Sequence, residues 1–259
     1  MGLITDVLIL LLGYYVLLFL VGQKLKNNSI VDIGWGLGFV LVAWLSAWRG
    51  TGNPAGTVIV VLVTLWGLRL SWHIGKRNIG KGEDYRYVQM REKWGERYPR
   101  LKAFGQVYLL QGVLLMIIAL PIYTSHMYTS PSLNVWGVLG LVVWVAGFVF
   151  EAVGDAQLRA FLRNPENKGK IMQSGLWRYT RHPNYFGEST MWWGLYLITL
   201  NLMPFYVSLA SPLVITYLLV FVSGVPLTEK AFEGNAAFEE YAKVTSRFFP
   251  WFPKRKNRA

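Results

Sequence analysis

The chain has 259 residues, of which 53% are hydrophobic and only 15% charged. Soluble domains carry about a quarter charged residues, so this composition leaves too little polar surface for a water-soluble fold. The net charge of +12 does not point to nucleic acid, because the Lys and Arg residues stand between apolar runs rather than on one basic face. With no cysteine, disulfides, thiolate nucleophiles and cysteine-based metal sites are excluded.

A helix crossing the bilayer needs roughly 20 mostly apolar residues. Taken in chain order, the segments 3–21, 30–48, 57–74, 107–123, 135–153, 185–202 and 206–225 approach that requirement. They predict an all-α, polytopic membrane protein of about seven transmembrane helices in a single domain, 1–259. The first segment starts without a basic leader and lacks a small-residue cleavage site, so it reads as a retained helix. The sixth is the weakest, because it opens with Asn184 and Glu188; it either crosses or dips into the bilayer.

Cations in short loops stay on the cytoplasmic side. Lys24 and Lys26 follow the first span, a dense run from Lys76 to Lys102 follows the third, and Arg159 to Arg181 follow the fifth. The C-terminal tail ends in Lys254, Arg255, Lys256 and Arg258, whereas the loops around Ser130 and Pro204 have no Lys or Arg, and Arg49 alone follows the second span. Seven spans with the N-terminus outside and the C-terminus cytoplasmic satisfy this alternation.

Long polar connections are where function concentrates. The one covering 151–188 mixes Arg159, Arg163, Lys168, Lys170, Arg178, Arg181 and His182 with Asn164, Asn167 and Asn184, and with Trp177, Tyr179 and Tyr185. Guanidinium forks grip phosphate, amides read a base or carboxamide, and rings stack, as a nucleotide cofactor requires. Cytoplasmic positive charge with aromatic interfacial anchors accounts for the same composition equally well.

Residue order separates the two. The string from Gly175 to Tyr185, GLWRYTRHPNY, followed by Glu188, resembles the C-terminal signature of the steroid 5-alpha-reductase superfamily. Nearly the whole chain is similar to a bacterial branch of that superfamily described as a domain of unknown function, DUF1295: Asp32 and Trp35, the run Gly82 to Tyr87, and Phe248, Phe249 and Pro250 all carry the likeness. The resemblance implies a membrane reductase, in a bacterial inner membrane, binding NADPH from the cytoplasmic side through the region 150–250. It implies cofactor contacts at Asp155, Arg159, Asn164, Lys168, Tyr179, Arg181, His182, Asn184, Tyr185 and Glu188, with Glu229, Glu239 and Tyr241 in the segment that closes the pocket. The superfamily's polarising carboxyl group falls on Asp32. Its tyrosine on the third helix has no match here, since Arg69, Ser71 and His73 lie there instead, which weakens the case for a steroid substrate. Isoprenylcysteine carboxyl methyltransferases, which bind S-adenosylmethionine, share a similar RHPxY element.

Four residues are candidate catalytic groups. Asp32 either caps the second helix, where a carboxylate favours the orphan amides, or serves a buried site as a donor to a carbonyl oxygen. Arg69 and His73 share a helical face four residues apart; Arg69 pairs with Asp32, grips cofactor or snorkels, and His73 is a proton donor or an interfacial histidine. Tyr87, in the cluster Asp84, Tyr85, Arg86 and Tyr87, is positioned to supply the acid missing from the third span. Glu151 and Asp155 lie four apart and face one polar site. The histidines His73, His126 and His182 are scattered without metal-binding spacing. Without a GxGxxG motif, a nicotinamide cofactor would be held outside a Rossmann fold.

These features lead to an NADPH-dependent reductase of a carbon-carbon double bond conjugated to a carbonyl, acting on a lipid-soluble small molecule among membrane lipids. An S-adenosylmethionine-dependent methyltransferase and a non-catalytic lipid-binding or transport protein are the rivals. The latter would show inverted repeats or broken midplane helices, which the sequence lacks.

Overall fold

The computed structural model describes residues 2–128, 133–202 and 205–254. Ser130, Pro204, Arg255, Lys256 and Arg258, used above for orientation, lie outside the described residues. Among the described residues there are helices and turns but no strands. The helices are α1 (Leu3–Leu25), α2 (Ile30–Arg49), α3 (Pro54–Asn78), α4 (Tyr85–Trp94), α5 (Pro99–Ile118), α6 (Leu120–Thr124), α7 (Val135–Arg163), α8 (Pro183–Ile198), α9 (Tyr206–Lys230) and α10 (Ala236–Val244). Six of them, α1, α2, α3, α5, α7 and α9, are long and apolar enough to cross a membrane. Leu8, Leu12, Leu17 and Leu20 on α1 are each more than half exposed, an apolar surface suited to lipid and not to water.

The expected sixth span is α8, whose 16 residues rise roughly 24 Å at 1.5 Å each, short of a hydrocarbon core of about 30 Å. It ends where the 3-10 turn Thr199–Asn201 begins. The fourth span starts eight residues earlier than expected, at Pro99, where Pro occupies the first turn. It stops at Ile118 because Ala119 leaves the helical region, with α6 following as a separate turn. Both α5 and α9 contain a π-helical stretch, Phe104–Leu109 and Leu218–Val222.

The chain forms two compact units, Met1–Asn134 with Thr199–Ser211, and Val135–Ile198 with Pro212–Ala259. In the first, α2 and α3 touch backbone to backbone at Gly36 and Gly67, where an added Cβ on either would lie 2.4 to 2.6 Å from the other's carbonyl oxygen. At one end of this unit Arg49 and Asp6 pair at 2.8 Å, tying the end of α2 to the start of α1. In the second, Gly140, Gly147 and Gly154 recur every seven residues on α7 and meet Gly194, Gly187 and Pro183 of α8 in antiparallel order. A Cβ at Gly140 or Gly147 would fall 2.6 Å from a carbonyl oxygen of α8. Small residues are how helices approach closely when lipid removes the hydrophobic drive between them.

Candidate functional site

In the first unit, polar chemistry gathers where α2 begins. Asp32 lies in the first turn of α2 but does not cap it: the N-cap is Ser29, and it makes no side-chain cap bond. The carboxylate is instead met by α4. The Tyr87 hydroxyl donates to Asp32 Oδ1 at 2.5 Å, and Arg86 Nη2 donates to Oδ2 at 2.8 Å. Arg86 also grips Asp84 through Nε and Nη2, at 2.9 and 3.1 Å, so one guanidinium bridges two carboxylates. Asp84 in turn caps α4 by accepting from Arg86 N at 3.0 Å, as short acceptor side chains do at a helix start.

Two further contacts fasten this arm. Ser29 Oγ accepts from Asp84 N at 2.7 Å, and Glu83 Oε1 accepts from Asn28 N at 2.7 Å while Arg91 Nη2 spans both its oxygens. Tyr108, in the π-helical stretch of α5, donates to Asn28 Oδ1 at 3.1 Å. Tyr87 is buried. Burial, reinforced by the neighbouring Asp32 charge, raises its phenol well above the ordinary range, so it keeps its proton at neutral pH. Burial alone would raise Asp84, but its hydrogen bonds from Arg86 outweigh that and hold it below the usual carboxylate value. Arg69 and His73 are half-buried on α3 in this same unit. Sequence reasoning placed Asp32 and Tyr87 among the catalytic candidates, and they are in direct contact. It missed Arg86 as their clamp, although Arg86 lies inside the polar cluster it singled out, and Glu83 as an anchor, just before that cluster.

In the second unit, the signature string folds as a 3-10 turn, Gly175–Arg178, leading into α8. Gly175 has φ of +62°, a left-handed conformation that glycine adopts without strain. Leu176 N then donates to Gln157 Oε1 at 2.9 Å, and Trp177 Nε1 to Gly154 O at 3.1 Å, both on α7. Tyr241 on α10 donates its hydroxyl to Trp177 O. Thr180 Oγ1 donates to Phe248 O at 2.8 Å and Arg181 N to Ser246 O at 2.9 Å.

Arg181 is 9% exposed. Its Nε donates to Glu229 Oε1 at 2.8 Å and its Nη1 to Ala242 O and Thr245 O, both at 3.0 Å. His182 Nε2 shares Glu229 Oε1 at 3.0 Å, and its ring stacks on Tyr185, whose hydroxyl bonds Thr228 at 3.0 Å. Burial pushes the His182 imidazole below its usual value despite Glu229. Arg247 Nε approaches Glu229 Oε2 at 3.7 Å. Of the expected cofactor contacts, then, Arg181, His182, Glu229 and Tyr241 form one knot that joins the signature string to α9 and α10.

The other polar residues singled out in the sequence, Glu151 among them, divide by exposure. Glu151 and Asp155 are buried on α7, and Gly187 of α8 crosses within 2.5 Å of Glu151 N when given a Cβ. Arg159, Asn164, Lys168 and Tyr179 are exposed, with Asn164 capping the turn Pro165–Asn167 by accepting from Glu166 N at 3.1 Å. An open cavity of about 350 Å³ is lined by Gln157, Ala160, Phe161, Met172, Ser174 and Gly175. Asn184 Oδ1 is buried without a hydrogen-bond partner. A buried acceptor left unmade is costly, so it marks a place where a donor fits. Glu188 and Tyr185 sit half-buried on the same helix. The roles of Gln157, Thr228 and Arg247 had no signal in the sequence, because each is brought to the string from a distant segment.

These features describe a polytopic helical membrane protein with a charge-balanced tyrosine–carboxylate pair and a buried Arg–Glu–His knot. The chain belongs to the family described as a protein of unknown function, DUF1295, which it matches over residues 18–245, and that family lies in the steroid 5-alpha-reductase-like superfamily. It is 26% identical to the uncharacterized protein C594.04c of Schizosaccharomyces pombe over 262 residues, covering 87% of this chain and 73% of that protein. A stretch of 46 residues is 41% identical to a protein of Ustilaginoidea virens named "Probable O-methyltransferase ustE", covering 18% of this chain and 16% of that one. No solved structure matches. Kinship with steroid reductases points to an oxidoreductase.

Proposed function

We propose that the protein is an NADPH-dependent membrane reductase of a carbon-carbon double bond conjugated to a carbonyl in a lipid-soluble substrate. The observation that carries this reading is the Asp32–Tyr87 hydrogen bond at 2.5 Å with Arg86 fixed on the far carboxylate oxygen. NADPH, when bound, supplies the hydride; the protein's part is to hold the carbonyl and manage the proton. Tyr87, kept protonated by burial, turns its hydroxyl from Asp32 to the substrate oxygen and stabilises the negative charge that grows there. The Tyr87 proton passes to the enolate oxygen, the enol tautomerises so that a proton ends on the alpha carbon, and water returns a proton to the tyrosinate while Asp32 holds it in place. Arg86 balances the carboxylate throughout, so that the pair does not repel the developing oxyanion.

For the cofactor, the support lies in the second unit. Asn184 Oδ1 would accept from the nicotinamide carboxamide, and the exposed Arg159 and Lys168 would meet phosphates. Arg181 and His182 would hold the string that carries Asn184. The charge pattern supports the long cationic connections facing the cytoplasm, and the resemblance supports a bacterial inner membrane as host, although a yeast relative shows a wider family.

The fragment similar to a methyltransferase-named protein favours a second reading, S-adenosylmethionine-dependent methyl transfer. Thermal melts of the purified protein with each cofactor separate the two. A ligand at a hundred times its Kd stabilises by about 2.7 kcal/mol, so NADPH should raise Tm by several degrees and S-adenosylmethionine should not. The opposite result overturns the reductase reading.

A further inference from the structure

The stretch after α10 carries three large rings turned outward. Phe249, Trp251 and Phe252 are 69%, 74% and 77% exposed, whereas Phe248 beside them is 6% exposed. Their backbone is nevertheless tied down: Trp251 N donates to Tyr179 O and Lys254 N to Val244 O, both at 2.9 Å. The Phe249 ring meets Phe186 and Phe248 edge-on, and the Phe252 ring meets Tyr179. Rings displayed on a fixed backbone lose little entropy when they insert into another phase.

In sequence order the charge that follows has one sign, although Lys243 pairs with Glu240 at 2.5 Å and Arg247 approaches Glu229 at 3.7 Å. After Glu240 the sequence holds Lys243, Arg247, Lys254, Arg255, Lys256 and Arg258 and no acidic residue. Tryptophan favours the headgroup level of a bilayer, phenylalanine rings bury at the headgroup–acyl boundary, and each Lys or Arg near an anionic membrane surface contributes about 1 kcal/mol, roughly fivefold in binding. Aromatic rings followed by a basic run thus match one partner chemistry, the anionic headgroup layer.

We propose that the aromatic and basic C-terminal segment docks on the headgroup layer of a membrane containing anionic lipid, and that docking stiffens the signature string bonded to it through Tyr179 and Thr180. The inference goes beyond the reductase reading and does not depend on which cofactor is bound.

The test is hydrogen exchange on the full chain in nanodiscs of phosphatidylcholine alone or mixed with phosphatidylglycerol. At low salt, the Trp251 and Lys254 amides should exchange at least tenfold more slowly in the anionic discs, and high salt should abolish the difference. The variant K254Q/R255Q/K256Q/R258Q, which alters only the tail, should lose that advantage, and W251S/F252S should lose most of it. Equal exchange in both lipids, or an advantage intact in either variant, overturns the proposal. So does equal protection by a short RNA in phosphatidylcholine discs, which would reveal a general polyanion site. Cofactor melts on the same samples read the reductase hypothesis separately.

Discussion

Replacing Arg181 by methionine keeps an unbranched stem but removes the guanidinium that serves Glu229, Ala242 O and Thr245 O. Breaking a buried ion pair from one side costs about 3 to 5 kcal/mol. Here Glu229 is 19% exposed and keeps His182 at 3.0 Å, so water and the imidazole recover part of that; the two orphaned carbonyls add about 1 kcal/mol or more each. A net loss of about 3 kcal/mol follows, roughly 10 °C in Tm for a unit of this size. Lysine should not rescue, because one ammonium cannot reach a carboxylate and two carbonyls together. Adding Glu229→Gln to Arg181→Met should recover about 1 kcal/mol by removing the uncompensated charge. The assay is a thermal melt in detergent without nucleotide. A variant as stable as the wild type whose nucleotide affinity has collapsed would show that the arginine serves a ligand and not the fold.

Tyr87→Phe removes the hydroxyl on Asp32 while Arg86 still holds the carboxylate; NADPH-linked enone reduction should fall by about 10² to 10⁴, and an unchanged kcat would eliminate Tyr87 as the donor. Asn184→Leu deletes an acceptor that has no protein partner, so melts without ligand should stay within about 1 kcal/mol while NADPH binding weakens; calorimetry showing equal affinity would remove Asn184 from the cofactor site. Gly147→Val places side-chain atoms against the Gly187 carbonyl and should prevent close packing of α7 on α8, whereas Gly105→Ala, with nothing within 4 Å, should gain up to about 1 kcal/mol; equal Tm values for the two would contradict the packing. The folded protein holds His182 below its usual value, so just under the unfolded value of about 6.5 the unfolded chain binds more protons. Stability should therefore be full above that pH and decline as pH falls from it toward the depressed folded value. His182→Gln should flatten that part of the curve, and an identical slope would assign the effect elsewhere.

Much of the architecture was legible because membrane helices announce themselves by length and apolarity, signals that need no tertiary partner. Segments 30–48 and 135–153 lie within α2 and α7. The site was half legible. Asp32 and Tyr87 stood out as polar residues in apolar or interfacial surroundings, and GLWRYTRHPNY stood out as a string. What could not be read was which partner each would take: Asp32 was as compatible with capping, or with Arg69, as with the Arg86 and Tyr87 that hold it.

Composition and hydropathy by themselves determined that this chain is a bundle of bilayer helices, since a run of 20 apolar residues has one low-energy environment whatever its neighbours. Only the tertiary structure decided that α8 is too short to match its neighbours, that Gly140 and Gly147 are contact points, and that Arg181 is tied up inside the protein. Those outcomes depend on where a helix stops and on which distant carbonyl or carboxylate arrives within 3 Å. Such distances are set by packing across tens of residues, and local sequence carries no record of them.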